Sequence, residues 1–448
     1  MRLIMRAALT AFLLAVPASA TFAQSNNWVG AWAFVAAPLP PGVNPAALAP
    51  ANVGPSTAAP ILPMGASPVP PVTNAAPSPP RLENPGRIAI LENYVPLNNV
   101  TVRQLVRVSA AGQQIRLRFS NENGTDMMAV GAVRVGLAGP DGNILAGSDR
   151  PVTFDGRGGG VMIPASAPLY SDPVTLAVKP LDKLLISIHV SGDVPRGGRS
   201  LTMYVTETKG DHTADARLPQ VRLTRVSTYV TQVEVNADTP TRAIIVIGDS
   251  ITEGTGSTNN AFRGWPDRLA ERLAAAKKSW AVVNAGISGN RLLRYGTGPN
   301  ALARLDRDVF SVPGAKALIV LEGINDIGRG FTPNGNREPL TADSLIAAHK
   351  QIIARARALG IKVYGGLLTP YGGAGYSSPE GEAVRQALNT WIQTSGAYDG
   401  FIDFATPTAD KANPLTFAAG FNDGDKLHPN DAGYQAMADA IDLEMVTK

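Results

Sequence analysis

The chain has 448 residues, more than one ordinary domain needs, and carries 40 Lys and Arg against 36 Asp and Glu, a formal net charge of +4. No basic run accompanies that near-balance, which argues against nucleic acid as a partner, since affinity there comes from neutralising phosphates. Cysteine is absent, which excludes disulfides, thiolate metal sites and a thiol nucleophile, so the fold must rest on its hydrophobic cores.

Residues 1–23 open with Arg2 and Arg6, continue with an apolar run from Ala7 to Val16, and end in small residues. That is the pattern of a secretory signal peptide, with cleavage expected after Ala20 or Ala23 and a secreted or periplasmic destination. The run is shorter than the roughly 20 residues that span a bilayer, and no later segment is long and apolar enough, so no stable membrane insertion is expected. Residues 24–36 contain "WVGAWAF", a short strand segment in which Trp28 and Trp32 are expected to anchor a core. Residues 37–85 are rich in Pro and Ala, nearly uncharged and without period. Such a segment buries too little surface to offset its chain entropy and reads as a linker or excursion.

From 86 to 235 the texture is β. Segments such as "QQIRLRFSN", "DPVTLAVKP" and "KLLISIHVSG" alternate partially and are separated by "ENGT", "GPDGN" and "GRGGG". Strands at that spacing predict a sandwich or jelly roll, an accessory domain without catalytic candidates. "NADTPTRA" (236–243) marks the boundary, and strands alternate with helices from 240 to 448. The strands "AIIVI", "WAVVNAG", "ALIVLEG", "KVYGGLLTP" and "GFIDF" are each followed by a helical or loop segment. Five such units predict an α/β domain with a parallel sheet and helices on both faces. Ligands in such sheets bind outside the carboxyl ends of the strands.

One of those ends reads "IIVIGDSITEGTGS", with Ser250 directly after the apolar run. A serine hydroxyl is a weak nucleophile and needs a histidine base oriented by a third group. The chain has four histidines. His189 falls inside a β segment, where a packed residue is expected; His212 lies in a polar connector and is expected to face solvent; His349 sits on the inner stripe of an amphipathic helix. His428 stands apart in the Asp- and Gly-rich loop "DGDKLHPNDAGY", three residues after Asp425. In a turn that spacing lets the carboxylate accept from Nδ1 and leaves Nε2 for Ser250. Oxyanion donors are available where "LEGINDIG" presents Asn325 and "VVNAGISGNRLL" presents Gly286 and Gly289. The α/β-hydrolase elbow G-x-S-x-G is a poor alternative, because Thr252 stands where its second glycine belongs. No cluster of metal-ligating residues is evident, and neither a metal nor another cofactor is expected.

The four blocks "GDSITEG", "NAGISGN", "GINDIG" and "DKLHPNDAGY" resemble those of the GDSL-type, or SGNH, hydrolases. Ser250, Gly289, Asn325 and His428 fall on the four residues that name the family, with Gly-Asp-Ser-Ile in place of Gly-Asp-Ser-Leu. The similarity covers roughly residues 240–446. It implies a flavodoxin-like three-layer α/β/α sandwich, with Ser250 as nucleophile, His428 as base and Asp425 as the orienting acid. The oxyanion hole it implies consists of the backbone N–H groups of Ser250 and Gly289 and the side chain of Asn325. The opening "WVGAW" and the β region look like an accessory module of one secreted branch of these esterases. The expected activity is serine esterase, hydrolysing short acyl esters, with acetylated glycan as the expected substrate. A broad arylesterase or lipase is the alternative, and a non-catalytic glycan-binding protein a third reading that the intact residue set disfavours.

Overall fold

The computed structural model describes residues 27–37, 97–191, 200–227, 229–331 and 340–448. Residues 1–23, expected to be a signal peptide, and almost all of the Pro/Ala-rich segment lie outside the described residues. Strand β1 (Trp28–Ala33) pairs antiparallel with β13 (Val230–Ala237), which pairs with β3 (Gly112–Ser120). β8 (Pro168–Tyr170) and β9 (Val174–Val178) flank β3 on its other side. A second sheet runs β12 (Val221–Ser227), β11 (Ser200–Thr206), β2 (Val100–Arg107), β10 (Lys183–Val190), β5 (Val133–Leu137), β6 (Arg150–Pro151). The short pair β4 (Met128–Val130) and β7 (Val161–Ile163) stands beside them.

Alternation sets what these strands bury. Ile115, Leu117 and Phe119 of β3 point into one core with Val102 and Val106 of β2 and Ile186 and Ile188 of β10. The same period bears out the expectation for Trp32, which is half-buried and packs against the core, and corrects it for Trp28. Residues 29 and 31 share the inward face of β1, so Val29 and Ala31 are fully buried while Trp28 and Trp32 are half-buried. Trp28 instead lies under the Arg116 guanidinium, 4.5 Å from its ring centroid.

The C-terminal half is a parallel sheet of β14 (Arg242–Gly248), β15 (Trp280–Gly286), β16 (Ala315–Leu321), β17 (Lys362–Gly366) and β18 (Gly400–Ile402). Their spatial order is β15-β14-β16-β17-β18, the flavodoxin-like arrangement, with its switch point beside β14. The central runs are apolar throughout because helices cover both faces. These include α1 (Ser250–Glu253), α2 (Trp265–Ala275), α3 (Ala301–Leu305), α4 (Ile324–Gly330), α5 (Ala342–Ala358), α6 (Pro379–Thr394), α7 (Asp431–Asp439) and α8 (Leu443–Val446).

The two halves share one continuous hydrophobic core. Across their junction the Gly30 N–H donates to the Pro313 carbonyl at 3.0 Å. The Ser109 hydroxyl accepts from the Val282 N–H at 2.9 Å. Arg107, nearly buried, pairs with Glu271 at 2.7 Å and Asp267 at 3.3 Å on α2.

Candidate active site

The carboxyl ends of β14, β15 and β16 converge with the loop that precedes α7. After β14 the chain turns sharply into α1, and Asp249 caps that helix by accepting from the Ile251 N–H at 2.9 Å. The cap puts Ser250 at the first helical position, its hydroxyl at the mouth of the sheet.

The loop at 422–430 is built from its own side chains. Asn422 Oδ1 accepts from the N–H groups of Gly424 and Lys426, both at 2.8 Å, and its Nδ2 donates to the His428 carbonyl at 2.8 Å. Lys426 adopts a left-handed conformation, φ 62°, which tightens the turn. Asp425 Oδ1 can then receive the Leu427 and His428 N–H groups at 2.9 and 2.8 Å. Its other oxygen lies 2.5 Å from His428 Nδ1, and His428 Nε2 lies 2.8 Å from Ser250 Oγ. Asn430 closes the loop by capping α7 through the N–H groups of Ala432 and Gly433, both at 3.0 Å. Burial opposes ionisation of Asp425, but the imidazole and two backbone N–H groups outweigh it and hold this carboxyl well below the ordinary range.

The loops after β15 and β16 are tied together. Asn325 Nδ2 donates to the Asn290 carbonyl at 3.0 Å. Asp326 accepts from the N–H groups of Leu292 at 2.7 Å and Leu293 at 3.0 Å. Gly289 has φ +78°, and a Cβ there would stand 2.7 Å from Thr297 Oγ1, so a side chain would be both strained and crowded. Glu253, from α1, accepts from the Ser288 N–H and so fixes the residue before Gly289.

Beneath the site, Arg304 of α3 is nearly inaccessible. Its guanidinium donates to the carbonyls of Ala285 (2.6 Å) and Gly248 (3.1 Å), to Asn290 Oδ1 (3.0 Å) and to Asp308 (3.2 Å). One buried cation therefore holds the ends of β14 and β15 at a fixed separation. Around it Asp249, Glu322 and Asp326 are also buried, and burial pushes the carboxyl pKa of each upward.

The structure thus brings Ser250, Asp425 and His428 into hydrogen-bond contact, with Asn325 and Gly289 on adjoining loops. Such a set can present a hydroxyl to an ester while a neutral imidazole takes its proton. Gly286 ends β15, with its N–H on Asn284 Oδ1 at 2.8 Å. His349 is buried, its Nδ1 2.5 Å from the Tyr398 hydroxyl. The other two histidines differ from expectation. His189, near the end of β10, is only half-buried and lies 3.1 Å from Asn99 Oδ1. His212 is half-buried, with Nδ1 2.9 Å from Asp215, because its connector folds back on Thr101, whose hydroxyl receives the His212 N–H. Sequence reasoning missed Arg304, Asn422, Glu253 and Tyr376. Arg304 reads as one more charge on a helix, and its partners come from four separate positions. Tyr376 had a faint signal in its Gly-rich setting, "YGGAGYSS". Among the described residues, no group of His, Asp and Glu could hold a metal ion.

Residues 246–436 match the GDSL-like Lipase/Acylhydrolase family. That match lies within the α/β half of the chain. The chain is 33% identical over 123 residues to Esterase TesA of Pseudomonas aeruginosa, a match covering 27% of this chain and about half (52%) of that esterase. Among solved structures, the acetylxylan esterase Axe2 of Geobacillus stearothermophilus aligns with 20% identity over 46% of this chain and 94% of its own, TM-score 0.36. The psychrotrophic esterase EstA of Pseudoalteromonas sp. aligns with 18% identity over 44% of this chain and 93% of its own, TM-score 0.34. The GDSL-like match ends at residue 436 and begins at 246, so the β sandwich lies outside it.

Proposed function

We propose that this protein is a secreted or periplasmic serine esterase that removes short acyl groups, chiefly acetyl, from carbohydrate. The observation that carries the esterase reading is the unbroken relay from Asp425 through His428 to Ser250, with contacts of 2.5 and 2.8 Å. In this reading Ser250 Oγ attacks the ester carbonyl as its proton passes to His428 Nε2. The carbonyl oxygen becomes an oxyanion held by the backbone N–H groups of Ser250 and Gly289 and by the amide of Asn325. Collapse of that intermediate expels the alcohol, which takes the proton from His428. Water then attacks the acyl-enzyme with His428 again as base, releasing the acid and restoring Ser250. Asp425, ionised throughout, stabilises the imidazolium formed in each half-reaction.

The carbohydrate part is supported by a cleft of about 350 Å³ between the two halves. It is lined by Trp32 and Thr202 from the β sandwich and by Gly254, Asn259 and Phe262 from the loop that follows α1. Aromatic side chains beside amides and hydroxyls suit a sugar ring, which has apolar faces and a polar rim. The cleft begins one helical turn beyond Ser250, at the carboxyl end of β15. A fluorophosphonate probe should label the full chain and fail to label Ser250→Ala; labelling that survives the substitution would remove the nucleophile assignment. Acetate release from a panel of acetylated glycans, set beside aryl esters of rising acyl length, tests the substrate. Activity confined to long acyl chains would reject the acetyl-glycan reading while leaving the esterase.

A further inference from the structure

A side-chain amide is nearly symmetric in shape, and only its partners decide which end faces a ligand. Asn325 has two such partners. Its Nδ2 donates to the Asn290 carbonyl at 3.0 Å, and its Oδ1 accepts from the Tyr376 hydroxyl at 3.3 Å. A carbonyl can only accept, so the first contact requires nitrogen on that side. A phenol hydroxyl can donate or accept, and in the orientation that the carbonyl selects it donates to Oδ1. The two contacts together hold that orientation, and in it the second proton of Nδ2 remains available to a ligand. Turning the amide by half a rotation would set two oxygens against each other and offer a lone pair to an oxyanion.

Tyr376 reaches this position from the loop between β17 and α6, and a glycine makes room for it. A Cβ on Gly328, in α4, would fall 1.6 Å from a carbon of the Tyr376 ring. The second glycine of "GINDIG" therefore lets the ring lie against the same helix that carries Asn325. Burial pushes the Tyr376 phenol well above its ordinary pKa, so the hydroxyl remains a donor across the working range of an esterase.

We propose that Tyr376 is a positioning residue for the oxyanion donor: its hydroxyl locks the Asn325 amide with N–H toward the reacting carbonyl, and Gly328 admits its ring. This role rests on the esterase reading and deepens it. The test is a double-mutant cycle on the full chain with 4-nitrophenyl acetate, comparing wild type, Tyr376→Phe, Asn325→Ala and the double variant. Tyr376→Phe keeps the ring and loses one neutral hydrogen bond, so kcat should fall about 3- to 10-fold with KM within about twofold. Asn325→Ala should lose about 10²–10³ in kcat, the usual cost of one oxyanion donor. If the hydroxyl acts through the amide, adding Tyr376→Phe to Asn325→Ala should cost nothing further. Gly328→Ala, which displaces the ring, should lower kcat at least as far as Tyr376→Phe in the wild type and likewise have no effect beside Asn325→Ala. Losses that multiply in the double variants, or a Tyr376→Phe change confined to KM, would overturn the role. Absent hydrolysis by the wild type would overturn the esterase reading, and this role with it.

Discussion

At Asp425 two oxygens of one carboxylate do separate jobs. Oδ1 holds the turn through two backbone N–H groups, and Oδ2 holds the imidazole. Asp425→Asn should leave the turn in place, because an amide oxygen can still accept at the first site. It forfeits the charge and, with a nitrogen now facing Nδ1, favours the wrong tautomer of His428. The expected result is a loss of roughly 10⁴ in kcat at neutral pH with little change in Tm, read from paired kinetics and thermal melts. Asp423→Asn serves as the control: its backbone N–H bonds the His428 carbonyl at 3.0 Å, a contact that the substitution keeps. Greater damage at Asp423 than at Asp425 would transfer the orienting role to the other carboxylate.

At the scale of elements, α5 carries a titrating group inside the core. His349 is 1% exposed and packs with Leu345 and Ile352 of its own helix in the core, and with the rings of Trp391 and Tyr398. Burial lowers its pKa to about 4 from an ordinary 6.5. Between those values the unfolded chain binds the proton and the folded one does not, so stability rises with pH across that window. The contribution is complete above pH 6.5 and erodes as pH falls to about 4, by about 3 kcal/mol in all. Asp249 and Glu322, whose raised pKa values act in the opposite sense, make the total curve uninformative. The difference in unfolding free energy between wild type and His349→Phe isolates the effect and should shrink steadily from pH 7 to pH 4. A difference that stays flat would show that His349 does not titrate in this window. The helix itself was legible: its apolar positions recur at helical spacing, and the Thr341 cap fixes its start. So were the five parallel strands, because burial on both faces leaves uninterrupted apolar runs. The antiparallel pairings were not legible, since β1 meets β13 only through contacts across some two hundred residues. The site divides on the same line. Asp425 and His428 sit within one turn and Ser250 ends a conspicuous strand, whereas Arg304 and Tyr376 gain meaning only from partners on other elements.

For the whole molecule, the decisive fact is what lies beside β15. That strand is one edge of the parallel sheet, and β1 with Ser109 is laid against it. Unpaired edges template aggregation, and Arg107 would also leave Asp267 and Glu271 behind. A chain beginning near Pro240 should therefore yield little soluble monomer and lose activity on aryl acetates and acetylated polysaccharide together, as judged by size-exclusion chromatography and rates. A soluble monomeric truncate with the wild-type rate on 4-nitrophenyl acetate would show that the sandwich is dispensable to the fold.

Ser250 and His428 stand 178 residues apart, and the last strand of the parallel sheet ends at Ile402. On the ribosome, the scaffold and the residues proposed as nucleophile and oxyanion donors all emerge before the proposed base does. In the proposed mechanism a growing chain would hold Ser250 without its base until almost the whole α/β half had been made. The order of the residues would then set the moment at which activity begins.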